Sequence, residues 1–150
     1  MLLGATAAVL IAASACSPAS ETPDLGDPSE YADELLEATN EAREEEGLAA
    51  LAPSDCAREV ALNRAADREE AGNLEHAPLD DAFEACPEFD RTAENLVNSA
   101  ATPEEVVDAW MNSSGHRANI LDAKLVEIGI GCVVSDAGLL CSQVFLGHDA

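Results

Sequence analysis

The chain has little positive charge. Its 150 residues include 7 Lys or Arg against 30 Asp or Glu, for a formal net charge of -23, and Lys124 is the only lysine. Nucleic acid phosphates and anionic membrane surfaces would repel such a chain at close range, which excludes nucleic acid as a partner. The excess of carboxylates indicates a strongly solvated surface, and added salt would screen the repulsion between them.

Several sequence motifs that are typical of catalytic or metal sites are also absent. No Cys-x-x-Cys pair is present, which argues against a cysteine zinc site. No Gly-x-Ser-x-Gly motif or reactive-cysteine pattern supplies an evident nucleophile. Only three histidines occur, at positions 76, 116 and 148, so any imidazole chemistry must use these. His148 lies in the polar C-terminal tail, and we interpret it as incidental.

The N-terminal segment predicts export. Residues 1–15 form a short apolar run that is too short to span a bilayer comfortably, which is typical of a signal peptide. The run ends in Ala13-Ser14-Ala15-Cys16, which resembles the lipobox of bacterial lipoproteins, so we expect Cys16 to be lipidated. Plain secretion and an uncleaved membrane anchor are the alternatives. Residues 16–28 predict a flexible tether, and the folded domain is expected over residues 29–150.

The four other cysteines support an oxidising compartment, because an even number suits two disulfides. They are Cys56, Cys86, Cys132 and Cys141. Four cysteines allow three pairings. Residues 126–134 and 139–146, rich in Ile, Val and Leu, predict a hairpin with its turn at residues 135–138. A symmetric turn places Cys132 opposite Cys141, within reach of a cross-strand bond. That pairing leaves Cys56 with Cys86.

The rest of the chain predicts helices joined by short breaks. Residues 29–47 carry apolar positions at helical spacing and end at a glycine, and so does the segment at about residues 54–71. Residues 73–91 contain two prolines and predict mostly loop. A capping sequence begins another helix over residues 102–115. With the hairpin, these elements predict an α+β fold, a three-layer α-β-α sandwich with a small antiparallel sheet.

Three polar residues are the candidates for chemistry. His76 lies in a loop after the second helix, Glu94 stands among apolar neighbours, and His116 follows the flexible residues 113–115. A partly buried glutamate beside two imidazoles stays ionised and favours their protonated forms, which tunes both groups near neutral pH. Trp110, the only tryptophan, is expected in the core.

The sequence around these candidates closely resembles the bacterial branch of the CAP superfamily. That superfamily comprises the cysteine-rich secretory proteins, antigen 5 and the plant pathogenesis-related proteins, and its domain is also called the SCP domain. The strongest likeness lies in VVDAWMNSSGHRANIL at 106–121 and EIGIG at 127–131. TNEAR at 39–43, AENL at 93–96 and SQVF at 142–145 resemble further segments, so the likeness covers about residues 30–146.

The resemblance implies a site as well as a fold. In this family two histidines and two acidic residues line an open cleft, and some members hold a divalent cation there. His76, Glu94 and His116 match three of these positions, but Asn112-Ser113 stands where the fourth residue, a glutamate, is expected. Any cation, such as zinc, is therefore expected to bind weakly or not at all. Asn119 and Gln143 are expected to brace the site.

These observations favour a monomeric surface or secreted protein. We expect it to bind an extracellular ligand or cell-envelope component in the His/Glu cleft without turnover, and to touch a membrane only through a lipid on Cys16. A secreted, protease-like hydrolase is the alternative, in which His76 or His116 with Glu94 activates water or the hydroxyl of Ser113 or Ser114. Its serine form needs a serine oxygen within about 3.2 Å of a histidine that Glu94 orients. Lipid binding is a further alternative that the family implies, although the sequence shows no apolar groove.

Overall fold

The computed structural model describes residues 25–149. The predicted signal peptide and the lipidation of Cys16 lie outside the described residues. Five helices and four strands make up this part of the chain. The helices are α1 (Pro28–Glu45), α2 (Asp55–Ala71), α3 (Asp80–Ala85), α4 (Pro103–Met111) and α5 (Ser114–Ile120). The strands are β1 (Ala52–Pro53), β2 (Arg91–Ser99), β3 (Leu125–Ser135) and β4 (Gly138–Gly147).

Local signals explain where the long helices begin and end. Asp27 caps α1 by accepting a hydrogen bond from the backbone N–H of Ser29. Gly72 ends α2 in the left-handed conformation, with φ 65°. Thr102 and Glu105 form a reciprocal capping box at the start of α4. α1 and α2 lie about where the sequence predicted them, whereas the helix predicted over residues 102–115 ends at Met111 and a separate helix, α5, begins at Ser114.

The four strands form one mixed sheet in the order β1-β3-β4-β2. β3 and β4 form the predicted antiparallel hairpin, β2 adds to β4 as a further antiparallel strand that was not predicted, and the two-residue β1 runs parallel to β3. Helices α1 and α4 contribute to one buried cluster, and α2 and α3 contribute to another that includes β4 residues. The α+β three-layer prediction is confirmed, and the parallel β1 is the one departure from an antiparallel sheet. Within residues 25–149, no helix is both long and apolar enough to cross a membrane.

Both predicted disulfides are present. Cys132 and Cys141 are register partners in the β3–β4 hairpin, with their Cα atoms 4.1 Å apart. Cys56 in the first turn of α2 bonds to Cys86, which follows α3, with a Cα–Cα distance of 5.9 Å. The second bridge ties the region before β2 to α2, the helix that packs on the sheet.

Glycines in β3 let α2 lie directly on the sheet. A Cβ atom on Gly129 would stand 2.1 Å from the backbone nitrogen of Arg58, and one on Gly131 would stand 2.3 Å from that of Leu62. Both distances are far below a van der Waals contact, so only glycine permits this approach. The close packing brings the inner face of α2, including Arg64, onto the sheet beside β2.

Candidate functional site

Glu94 is the centre of the site. It lies on β2 with its side chain toward α2, and that side chain is 2% exposed. Oε1 accepts hydrogen bonds from Arg64 Nε at 2.6 Å and Ser142 Oγ at 2.8 Å, and Oε2 accepts from Arg64 Nη2 at 3.0 Å. Oε2 also contacts His76 Nδ1 at 2.8 Å. Burial opposes ionisation, yet hydrogen bonds from Arg64, His76 and Ser142 hold the pKa of Glu94 below its usual value.

Arg64 on α2 holds this arrangement together, and it is not among the site residues predicted from the sequence. Its guanidinium grips the Glu94 carboxylate, donates to the Asp81 carboxylate at 2.9 Å and 3.0 Å, and reaches the carbonyl oxygens of Ala77 and Pro78. The hydrogen bond to Glu94 raises the pKa of Arg64 further above its ordinary value. One arginine therefore fixes the loop after α2 over Glu94, and His76 belongs to that loop.

A signal for Arg64 does exist in the sequence. The buried positions of α2 recur at helical spacing and are otherwise apolar: Ala57, Val60, Ala61 and Ala65. Arg64 falls on the same stripe, where a charged side chain needs a buried partner. That pattern indicates a buried ion pair, although it does not name Glu94 as the partner.

His76 is held by one nitrogen and open at the other. Its side chain is 54% exposed, and Nδ1 contacts the ionised Glu94 carboxylate. A carboxylate without a proton can only accept, so Nδ1 carries the hydrogen of this bond. In the neutral ring, Nε2 is then an acceptor that makes no hydrogen bond with any described residue.

His116 lies on α5, half-buried, with its ring centroid 6.1 Å from that of Trp110. Its ring has no hydrogen-bond partner in residues 25–149, and Glu94 is bonded to His76 instead. Burial, followed by the charge of His76, lowers the pKa of His116. The expectation that Glu94 favours protonation of both imidazoles is therefore wrong for His116, because desolvation dominates there.

A buried chain of amides positions α5 against the sheet. Gln143 Nε2 donates to Thr39 Oγ1 at 2.8 Å, and Asn95 Nδ2 donates to Gln143 Oε1 at 2.9 Å. Asn119 Nδ2 then donates to Asn95 Oδ1 at 2.9 Å and to the Glu94 carbonyl oxygen at 3.1 Å. Asn119 and Gln143 thus link α1, β4, β2 and α5, and His116 lies on the last of these elements.

The residues present do not fit a zinc site that uses Glu94 as a ligand. Both carboxylate oxygens already accept two hydrogen bonds, and the Arg64 cation lies against them. Asn112, at the place of the fourth acidic residue, donates to the Asp108 carbonyl oxygen at the end of α4. Among the described residues, no three His, Cys, Asp or Glu side chains form a group able to hold a metal ion. Glu94 therefore acts as a hydrogen-bond acceptor that orients His76.

The serine form of the hydrolase alternative lacks its geometry. Ser142, the serine nearest the carboxylate, donates to Glu94 and not to a histidine. Across the part of the chain that the structure describes, no serine hydroxyl makes a hydrogen bond with His76 or His116. Of the hydrolase alternative, only the form in which an imidazole activates water is compatible with the hydrogen bond between Glu94 and His76.

An apolar groove of about 440 Å³ adjoins His116, contrary to the expectation from sequence. Its walls include Leu74, Leu96, Ala109 and Trp110. Leu74 is 43% exposed. Linear sequence reading missed the groove because these side chains come from a loop, a strand and a helix that meet only after folding.

Comparison with known proteins identifies the family. A sequence model described as the Cysteine-rich secretory protein family, CAP, matches residues 36–145. YkwD, an uncharacterized protein of Bacillus subtilis (strain 168), is 33% identical over an alignment 125 residues long that covers 79% of this chain and 48% of YkwD. This chain therefore spans about half the length of that relative.

Solved structures agree on the fold. An extracellular protein of Bacillus anthracis str. Ames that contains a SCP domain superposes with a TM-score of 0.70 and 21% identity, over 80% of this chain and 41% of that one. An outer surface protein from Borrelia burgdorferi superposes with a TM-score of 0.72 and 24% identity, over 81% of this chain and 95% of that one. The protein belongs to the cysteine-rich secretory protein (CAP) family.

Proposed function

We propose that this protein is exported and binds a component of the cell envelope in the cleft of His76, Glu94 and His116. Two disulfides support an oxidising compartment. The similar proteins described as extracellular and as an outer surface protein support the same location. The apolar run at residues 1–15 would direct export, and a lipid on Cys16 would retain the protein at the membrane surface.

The main support for the binding proposal is that both carboxylate oxygens of Glu94 already accept two hydrogen bonds each within the protein. Arg64 and Ser142 satisfy the carboxylate from inside, so the protein presents an oriented imidazole to solvent and not a charged ligand for metals. His116 adds a second ring with its nitrogens unpaired among the described residues and a lowered pKa. Two such rings offer both donors and acceptors to a polar ligand, and preorganisation reduces the entropic cost of binding it.

A second candidate function is hydrolysis by activated water. The bond between Glu94 and His76 is the observation that favours it, because a carboxylate that fixes the tautomer of a histidine is the arrangement of a general base. In this reading His76 Nε2 would take a proton from water, and the resulting imidazolium would be stabilised by Glu94.

Co-sedimentation with purified bacterial cell-wall sacculi tests both functions. We expect the wild-type protein to sediment with the sacculi and the His76→Ala/His116→Ala double variant to lose at least about tenfold in affinity, because it loses two hydrogen-bonding groups. His148→Ala is the matched control and should bind like the wild type. Equal binding by the double variant, or no binding by the wild type, would contradict the proposal. Release of soluble fragments that stops in His76→Ala would favour hydrolysis.

A further inference from the structure

The apolar groove beside His116 runs along β2, at the edge of the sheet. Within residues 25–149, β2 is the last strand in the sheet and pairs with β4 alone. Residues 96–99 of this strand line the groove on one side, and α4 lines it on the other with Ala109 and Trp110. The groove therefore combines an apolar wall with a strand edge.

Two side-chain contacts show which backbone groups face outward. Trp110 Nε1 donates to the Leu96 carbonyl oxygen at 3.4 Å, and Asn119 Nδ2 donates to that of Glu94 at 3.1 Å. In an antiparallel strand the N–H and C=O groups of one residue point to the same side, and this side alternates from one residue to the next. Glu94, Leu96 and Asn98 therefore direct their backbone groups to the same side. The N–H of Leu96 and both backbone groups of Asn98 consequently point away from β4. Among the described residues, no hydrogen bond from outside the sheet reaches these groups.

The negative charge of the protein indicates which kind of ligand the groove would bind. Glu105 lines the groove, and none of the described lining residues is Lys or Arg. The formal net charge of -23 opposes the pairing of two copies of this chain edge to edge. It favours a cationic partner over an acidic one.

We propose that this groove binds an extended, basic peptide segment that adds a strand to β2. The peptide backbone pairs with the N–H of Leu96 and with both backbone groups of Asn98, and an apolar side chain enters the groove against Trp110, as strand addition requires. Because His116 also lines the groove, the bound peptide lies next to this side chain. The inference rests on the proposed function and deepens it, because it names a peptide as the class of ligand.

Fluorescence polarisation with labelled pentapeptides tests this inference. The probes have the sequence lysine-valine-X-valine-lysine, where X is alanine, leucine, phenylalanine or tryptophan. Matched peptides carry N-methyl groups at the three central residues, and others carry glutamate in place of lysine. We expect the peptides with large apolar X to bind, and both matched sets to bind at least about tenfold more weakly, since they lose backbone hydrogen bonds or favourable charge.

Two variants locate the binding. Ala109→Trp fills the groove and should abolish binding, whereas Ala66→Trp, on an exposed position of α2 outside the groove, should not. Amide hydrogen exchange gives a direct readout: peptide should slow exchange at Leu96 and Asn98 at least about tenfold, because their N–H groups become hydrogen-bonded.

The outcomes separate this inference from the proposed function. Failure of all four lysine peptides to bind, equal binding of the N-methylated set, or displacement of bound peptide by laurate with no change in exchange at Asn98 would overturn it. Dimerisation through β2 would overturn it in favour of a second copy. If peptides bind as expected while the His76→Ala/His116→Ala variant still sediments with sacculi, the edge site stands and the proposed cleft function fails.

Discussion

At the scale of single residues, Arg64 determines whether the site forms. Its side chain is 7% exposed, and its guanidinium is the cation that compensates the buried Glu94 carboxylate. We expect Arg64→Met to lower the free energy of unfolding by about 3–5 kcal/mol, because removing one partner leaves a buried charge without compensation. Urea denaturation with the disulfides intact measures the loss. The pKa of Glu94 should rise in the same variant, since burial then acts without the arginine.

Arg58→Met is the matched control for this prediction. Arg58 lies on the same helix and pairs with Asp33 at the surface, with the two side chains 39% and 58% exposed. An exposed pair of this kind contributes about 0–1 kcal/mol. Equal losses in the two variants would show that Arg64 acts only through helix packing. A large loss confined to Arg64→Met would support the buried ion pair.

At the scale of elements, the contact between α2 and β3 sets the position of the site. We expect Gly129→Ala to lower the free energy of unfolding by about 3 kcal/mol, because the added methyl group would overlap backbone atoms of α2 and force the helix away. Thermal or urea unfolding measures the change. Gly115→Ala on α5, where a Cβ meets no atom within 4 Å, should be neutral or stabilising by up to about 1 kcal/mol. Similar losses in both variants would contradict close helix packing.

The sequence predicted the elements whose boundaries carry local signals. Apolar residues at helical spacing and terminal glycines located α1 and α2, a capping sequence located the start of α4, and a symmetric turn placed Cys132 opposite Cys141. β2 and α5 were not predicted. Their polar residues interrupt the alternation of apolar and polar residues that is typical of a strand and the apolar repeat that is typical of a helix. Glu94, Asn95 and Asn119 are satisfied only by partners distant in sequence.

The candidate site shows the same division. His76, Glu94 and His116 were chosen through a family likeness, and the structure places the first two in direct contact. The pairing of Arg64 with Glu94 and the apolar groove follow from packing between elements, which no local pattern encodes. The pairing of buried charged residues that are far apart in the sequence is thus the feature of this site that is hardest to predict from the sequence.

At the scale of the whole molecule, the excess of negative charge governs stability. The formal net charge is -23, and only seven residues are Lys or Arg, so most carboxylates have no cation nearby. Their mutual repulsion is relieved in the expanded unfolded chain and screened by salt. We therefore expect Tm to rise by about 3–6 °C between low salt and 1 M NaCl, which corresponds to about 1 kcal/mol for a domain of this size.

Calorimetric scans in NaCl and in choline chloride at equal ionic strength distinguish screening from specific ion binding. Screening depends on ionic strength, so both salts should raise Tm equally. The buried pair of Arg64 and Glu94 lies out of reach of mobile ions and should persist at high salt, whereas the surface pair of Arg117 and Glu46 should weaken. An increase with sodium alone would indicate a bound cation, and an unchanged Tm in both salts would show that solvation already offsets the repulsion.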